Sequence, residues 1–95
     1  MANYERAVCK DGFVISIQAG SFLYCTPRED GARRYTEVEL GFPSKRESLI
    51  MEYAEESSRP TETVYPYVPV ELVGRVIAKH GGLRSRTPLP PGVQG

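Results

Sequence analysis

The chain has 95 residues, with 12 basic and 12 acidic side chains, a formal net charge of zero, and 40% hydrophobic residues. A chain of this length forms one small domain that buries only about two-thirds of its unfolded surface, which excludes a large multi-layer enzyme with a deep enclosed site. The balanced charge argues against a protein whose main task is to neutralise a phosphate backbone.

Cysteine content and the lack of long apolar segments indicate in which cellular compartment the protein resides. Cys9 and Cys25 are too few for the disulfide framework that small secreted domains use. The first ten residues carry no apolar core of a signal peptide, and no stretch approaches the roughly 18 apolar residues that cross a bilayer. We therefore expect a soluble cytoplasmic protein with no membrane partner.

The first half of the chain has the two-residue period of β-strands. The Asp11-Gly12 pair predicts a tight hairpin turn between a strand in residues 4–9 and a second strand in residues 13–19. One face of the second strand is apolar and carries Phe13, Ile15, Ile17 and Ala19.

Two further strands are predicted at residues 22–26 and 35–42. The second of them alternates again, because Glu37 and Glu39 are polar while their neighbours are apolar or β-branched. The residues predicted to point inward are Thr36, Val38, Leu40 and Phe42.

The second half predicts two helices with a strand between them. Ser44 and Glu47 have the spacing of a capping box, which predicts a helix over residues 45–57. In residues 63–68, Pro66 restricts the strand to an edge or a bulge. A second helix is predicted within residues 69–83, with Pro69 in its first turn and Gly81 as its C-cap.

The fold class that these elements predict is α+β. We expect a mainly antiparallel sheet of four to five strands with two helices packed on one face, in the order ββββ-α-β-α. Residues 1–83 would form this single domain. Residues 84–95 combine Pro, Gly and Arg with little to bury, which predicts a flexible tail.

No catalytic or metal-binding motif stands out. His80 could act as a base for Cys9 or Cys25, but a basic residue at a helix C-terminus and cysteines in strands have ordinary structural explanations. The two cysteines and one histidine lack the spacing of a zinc site. The sequence therefore predicts no enzyme activity, no metal and no cofactor.

The polar loop of residues 27–34 is the first candidate binding segment. Its arginines could clamp a phosphate or a carboxylate and the flanking tyrosines could stack on a ligand, although Glu29 and Asp30 also allow a simple solvated loop. The candidate residues are Arg28, Arg33, Arg34, Tyr24 and Tyr35.

The second candidate is the proline-containing strand. Tyr65 and Tyr67 have the same parity, so they are predicted to point to one face, either as a docking patch or as core.

The chain also resembles a set of small uncharacterised proteins from tailed-phage and prophage genomes. The resemblance covers residues 11–83 and is carried by IQAG to YCTPR, by EVELGFPS and by VYPYVPVELV. It implies a phage accessory protein made in the bacterial cytoplasm. Short proteins of that kind often bind and block a host component, as anti-CRISPR and other anti-defence proteins do.

Three functional hypotheses follow. The first is a non-enzymatic binding protein, expected as a homodimer, that inhibits or redirects a host protein through an exposed sheet edge, the arginine loop or both. The second is a binder of a small anionic ligand or nucleotide, in effect a sponge for a defence signal. The third is a nucleic-acid-binding regulator that also uses Arg84 and Arg86 of the tail.

Overall fold

Four antiparallel strands form the sheet, in the same order in space as along the chain. A computed structural model describes residues 4–95. The strands are β1 (Ala7–Val8), β2 (Val14–Gln18), β3 (Glu37–Gly41) and β4 (Val64–Pro69). A 3₁₀ helix (Ser48–Tyr53) precedes β4, and α1 (Val70–Lys79) follows it. The α+β class and the antiparallel sheet are confirmed.

The β1–β2 hairpin turns at the predicted glycine. Gly12 has a φ of 96°, and its N–H donates to the Cys9 carbonyl at 3.0 Å. The Asp11 carboxylate accepts from the Phe13 N–H at 2.9 Å and so supports the same turn. The inward face predicted for the second strand is confirmed by the burial of Phe13, Ile15, Ile17 and Ala19.

The strand predicted at residues 22–26 is absent, and this prediction is wrong. A single bridge between Thr26 and Glu37 is the β-pairing found in this segment. The Cys25 thiol lies 3.3 Å from the Gly20 nitrogen and 3.2 Å from the Gly20 carbonyl oxygen, and these local bonds hold the segment as a loop. The element order is therefore βββ-3₁₀-β-α.

The first predicted helix is shorter and of a different type. Ser44 does not cap it, because its hydroxyl accepts from the Val14 N–H of β2 at 2.9 Å. Glu47 is itself the N-cap, and its carboxylate accepts from the Leu49 N–H at 2.9 Å. The capping-box prediction is thus wrong, since β2 engages the residue that would have opened the helix.

The β4 strand contains a bulge. Val38 pairs with Val68 and Leu40 pairs with Tyr65, so two steps along β3 match three steps along β4. Tyr65 is buried, while Tyr67 is exposed with a φ of 54°. The prediction that these two tyrosines share a face is therefore wrong, because the extra residue shifts the alternation.

The β3 prediction holds only within the strand. Val38 and Leu40 are buried as predicted. Thr36 and Phe42, which lie just beyond the ends of β3, are exposed, and their predicted inward orientation is wrong. Phe42 has a φ of 49°, so the extended alternation ends before it.

The second helix follows its prediction closely. Val73, Val76 and Ile77 of α1 are buried, and both α1 and the 3₁₀ helix contact β4. Gly81 has a φ of 91°, its N–H donates to Ala78, and the next N–H donates to Ile77. These bonds form a Schellman C-cap. Within residues 4–95, no helix is long and apolar enough to cross a bilayer.

The residues after α1 lie against the domain. The Lys10 N–H donates to the Gly82 carbonyl at 2.9 Å and the Arg84 N–H donates to the Val8 carbonyl at 2.8 Å, so residues 82–84 cover the outer edge of β1. Farther along, the Tyr35 N–H donates to the Pro91 carbonyl at 2.8 Å. The flexibility of residues 84–95 stays a prediction, and these contacts define where the segment docks.

Candidate binding surface

Two aromatic side chains and one arginine form an exposed cluster, which we call the aromatic patch: Tyr24, Arg28 and Tyr67. Tyr24 is 43% exposed and Tyr67 is 38% exposed. The rings of Tyr24 and Tyr67 lie 5.9 Å apart, and the Arg28 guanidinium lies 5.4 Å from the centre of the Tyr24 ring. The patch therefore joins a π-surface to a cation that already contacts it.

Backbone hydrogen bonds hold the aromatic patch in place. The Tyr24 N–H donates to the Glu39 carboxylate at 2.9 Å, and the Tyr24 carbonyl accepts from the Tyr67 N–H at 3.0 Å. The Arg28 Nε donates to the Leu23 carbonyl at 2.9 Å. The loop and the bulge are thus tied to each other and to β3, which fixes the two tyrosines relative to the sheet.

The backbone at Tyr67 is strained. A non-glycine residue rarely adopts a φ of 54°, and an aromatic side chain gains nothing locally from it. The bulge requires this conformation and turns the Tyr67 ring out of the core, toward Tyr24. Backbone strain of this kind is found at functional sites more often than elsewhere.

Two of the predicted contact tyrosines are part of the core. Tyr35 and Tyr65 are both fully buried. The Tyr35 hydroxyl donates to the Glu29 carbonyl at 2.7 Å, and the Tyr65 hydroxyl donates to the Pro60 carbonyl at 2.5 Å. Burial raises the pKa of the Tyr65 phenol. Their rings fill the interior and their hydroxyls anchor two loops.

The three predicted arginines have different surroundings. Arg28 belongs to the aromatic patch, and Arg33 is exposed in the loop. Arg34 lines a shallow cavity of about 240 Å³ beside the start of α1, together with Val70 and Glu71. The acidic neighbour reduces the positive potential there, so this cavity is a poor match for the predicted anion clamp.

Sequence reasoning missed a buried charge cluster around His80. The His80 Nδ1 lies 2.6 Å from an Asp11 carboxylate oxygen, and Nε2 lies 2.6 Å from a Glu47 oxygen. Lys79 donates to the other Glu47 oxygen at 2.7 Å, and the Phe13 ring stacks on the imidazole with centroids 4.0 Å apart. The cluster joins the β1–β2 turn, the start of the 3₁₀ helix and the end of α1.

The cluster stabilises charge on its carboxylates. Burial alone would raise the pKa of Glu47, but hydrogen bonds from Lys79, the Leu49 N–H and His80 together hold it below its usual value. The Phe13 N–H and His80 lower the pKa of Asp11. Because both imidazole nitrogens face carboxylates, the ring presents no free nitrogen to a substrate, and its evident role is structural.

The cysteines give no sign of an activated thiol. Cys9 and Cys25 are both buried and free. Burial raises the pKa of the Cys9 thiol, and the nearby Asp11 charge raises it further, which disfavours the nucleophilic thiolate. In the described part of the chain, residues 4–95, no group of three or more His, Cys, Asp or Glu side chains is arranged to hold a metal ion.

Comparisons with known proteins give no family. Neither protein-family models, nor curated proteins, nor solved structures yield a match for this chain.

Proposed function

We propose that this is a non-enzymatic binding protein that docks on a partner protein through the aromatic patch. The observation that carries the proposal is the exposed pairing of Tyr24 with Tyr67, capped by Arg28. Tyrosine and arginine are among the residues that contribute most energy to protein interfaces. These side chains are exposed in the free protein. A partner that covers them removes their apolar rings from water, which favours binding.

Preorganisation supports the same conclusion. Association is weakened by the entropy lost when side chains and loops become ordered at an interface. The hydrogen bonds from Tyr24 to Glu39 and from Arg28 to Leu23 already order this loop in the free protein. The aromatic patch should therefore bind with little rearrangement.

Docking by side chains is favoured over addition of a strand to the sheet. The β1 edge is covered by residues 82–84. The other edge strand, β4, contains Pro66 and Pro69 and the bulge, all of which limit pairing with an incoming strand. Of the two routes that the sequence left open, the loop with its tyrosines is the better supported.

The identity of the partner rests on the resemblance. The likeness to tailed-phage and prophage proteins supports a bacterial host protein as the partner, inhibited or redirected by a stoichiometric complex in the cytoplasm. We also propose that the protein forms a homodimer and that it acts against host defence, as anti-CRISPR proteins do.

A capture experiment tests the proposal. Tagged wild type, a patch variant (Tyr24→Ser with Arg28→Ser) and a control variant (Glu52→Ser, an exposed carboxylate of the 3₁₀ helix) are purified from one bacterial lysate. We expect one protein to be retained by wild type and control at fixed stoichiometry and to be lost from the patch variant.

Other outcomes would overturn this function. Equal retention by the patch variant would place the interface elsewhere. A bound nucleotide in place of a protein would support the sponge hypothesis. Bound nucleic acid that dissociates steeply with rising salt would support the regulator hypothesis.

A further inference from the structure

A groove of about 900 Å³ is formed by the residues that follow α1, from Gly82 onward, together with Lys10 of the turn after β1. Its charged side chains are Lys10, Arg84 and Arg86, and we call it the cationic groove. Leu83, Leu89 and Val93 provide apolar surface, Gly95 also belongs to the lining, and no acidic or aromatic side chain among residues 4–95 lines the groove. The size is that of a ligand or peptide site.

The three cations have no partner among the described residues. None of the ion pairs or side-chain hydrogen bonds within residues 4–95 uses Lys10, Arg84 or Arg86. Among the lysines and arginines of residues 4–95, only Lys79 and Arg59 lie against a carboxylate, so these three cations are distinguished by the groove that they share. In a chain with no net charge, three unpaired cations around one cavity create a local positive potential that attracts anions.

The walls of the groove are fixed to the fold. Hydrogen bonds from Lys10 to Gly82 and from Arg84 to Val8 attach one wall to the edge of β1. On the other side, the Val93 N–H donates to the Pro90 carbonyl at 3.1 Å, and Tyr35 holds Pro91. Both sides are therefore positioned by backbone contacts rather than by the ligand.

We propose that the cationic groove binds an extended acidic segment of a partner protein that also carries aliphatic side chains. Its carboxylates would pair with Lys10, Arg84 and Arg86, while its aliphatic side chains would cover Leu83 and Leu89. Single-stranded nucleic acid fits less well, because such sites stack bases on aromatic side chains and this groove offers an aliphatic surface instead.

This inference is separate from the proposed function. The groove lies beside β1, and the aromatic patch lies on the β4 bulge; these strands are the two edges of the sheet. Each surface can therefore be altered without touching the other, and the failure of one proposal leaves the other standing.

The test uses a short fluorescent peptide that alternates glutamate with leucine, titrated with the full chain. We expect binding that weakens as salt rises. Replacing two of the cations, Arg84→Gln with Arg86→Gln, should weaken it about tenfold, and Leu89→Ser should weaken it at any salt concentration. A variant with the same change in net charge outside the groove, Arg59→Gln with Arg75→Gln, should bind like wild type.

Several results would overturn the proposal. These are absence of peptide binding, equal weakening in the control variant, or tighter binding of a single-stranded oligonucleotide than of the peptide. A wild-type mass that doubles on its own, but not when Arg84 and Arg86 are replaced, would make a second copy of the chain the occupant. The Tyr24→Ser variant must retain peptide binding, since the patch does not contribute to the groove.

Discussion

At the scale of single residues, Glu47 links the start of the 3₁₀ helix to the end of α1. It is 1% exposed, yet it carries a charge that contacts Lys79, His80 and the Leu49 N–H. A buried carboxylate is tolerated only when such partners replace its lost hydration. Removing it leaves His80 buried beside Phe13 with one of its two charged partners missing.

Glu47→Ala should lower the free energy of unfolding by about 1–3 kcal/mol, because it leaves the buried His80 ring and the Leu49 N–H without their hydrogen-bond partner. That is a large share of the roughly 5–15 kcal/mol that stabilises a domain. Urea unfolding at neutral pH measures the change. Glu52→Ala, at an exposed position of the same 3₁₀ helix, should remain within about 0.5 kcal/mol of wild type. Similar losses in the two variants would refute a special role for Glu47.

The stability of the protein should also depend on acidic pH. Folding lowers the pKa of Glu47 from its ordinary 4.5 and that of Asp11 from 3.8. Both carboxylates therefore contribute stability above those ordinary values, and the contribution is lost as pH falls through the lowered, folded-state pKa. Urea unfolding between neutral pH and pH ~3 should show a steeper decline for wild type than for Glu47→Ala. Parallel curves would contradict the cluster's role.

Short sequence patterns predicted a turn and a helix cap correctly, but they did not predict the cluster around His80. The Asp11-Gly12 turn and the Gly81 cap depend on neighbours within a few positions, and both were predicted correctly. His80 and Asp11 are 69 positions apart, and no spacing rule connects them. The one available signal was a histidine with a lysine at a helix end, which general electrostatics already explained.

At the scale of elements, two deviations from regular structure place the binding surfaces. The β4 bulge exposes Tyr67. In the sequence, the feature that indicated a bulge was Pro66. The predicted strand at residues 22–26 is instead the loop that carries Tyr24, because Cys25 bonds back to Gly20. Of the predicted binding residues, the patch thus contains Tyr24, Arg28 and Tyr67, while parity alone could not separate Tyr67 from Tyr65.

The docking of residues 84–95 depends on a close approach of Gly92 to the Tyr35 backbone. Gly92 has a φ of 108°, and an added Cβ would overlap the Tyr35 carbonyl oxygen. Gly92→Ala should therefore release this segment and speed hydrogen exchange of the Tyr35 amide by about tenfold or more. Gly31→Ala is the matched control, since Gly31 also has a positive φ, 64°, but faces open space. Unchanged Tyr35 protection in Gly92→Ala would mean that the segment is not held there.

At the scale of the whole molecule, the balanced charge conceals an uneven distribution. Glu47 pairs with Lys79 beside His80, whereas Lys10, Arg84 and Arg86 of the cationic groove have no ion-pair partner among residues 4–95. The sheet separates this groove from the aromatic patch on its other edge. Length and composition limited the chain to one small domain, but only the fold shows that Tyr24 and Tyr67 meet at one surface and that Lys10, Arg84 and Arg86 share another.

Comparing Tyr67→Gly with Phe42→Gly tests whether a partner docks through the aromatic patch. Both replace an exposed aromatic residue at positive φ, which glycine accepts without strain, so both variants should fold. Phe42 lies outside the patch, next to Thr63 before the start of β4.

The measurement is the native mass of each tagged protein purified from the same bacterial lysate. Wild type and Phe42→Gly should carry the same partner protein, and Tyr67→Gly should emerge without it. Retention of that partner by Tyr67→Gly, or its equal loss from both variants, would show that the partner does not dock through the aromatic patch.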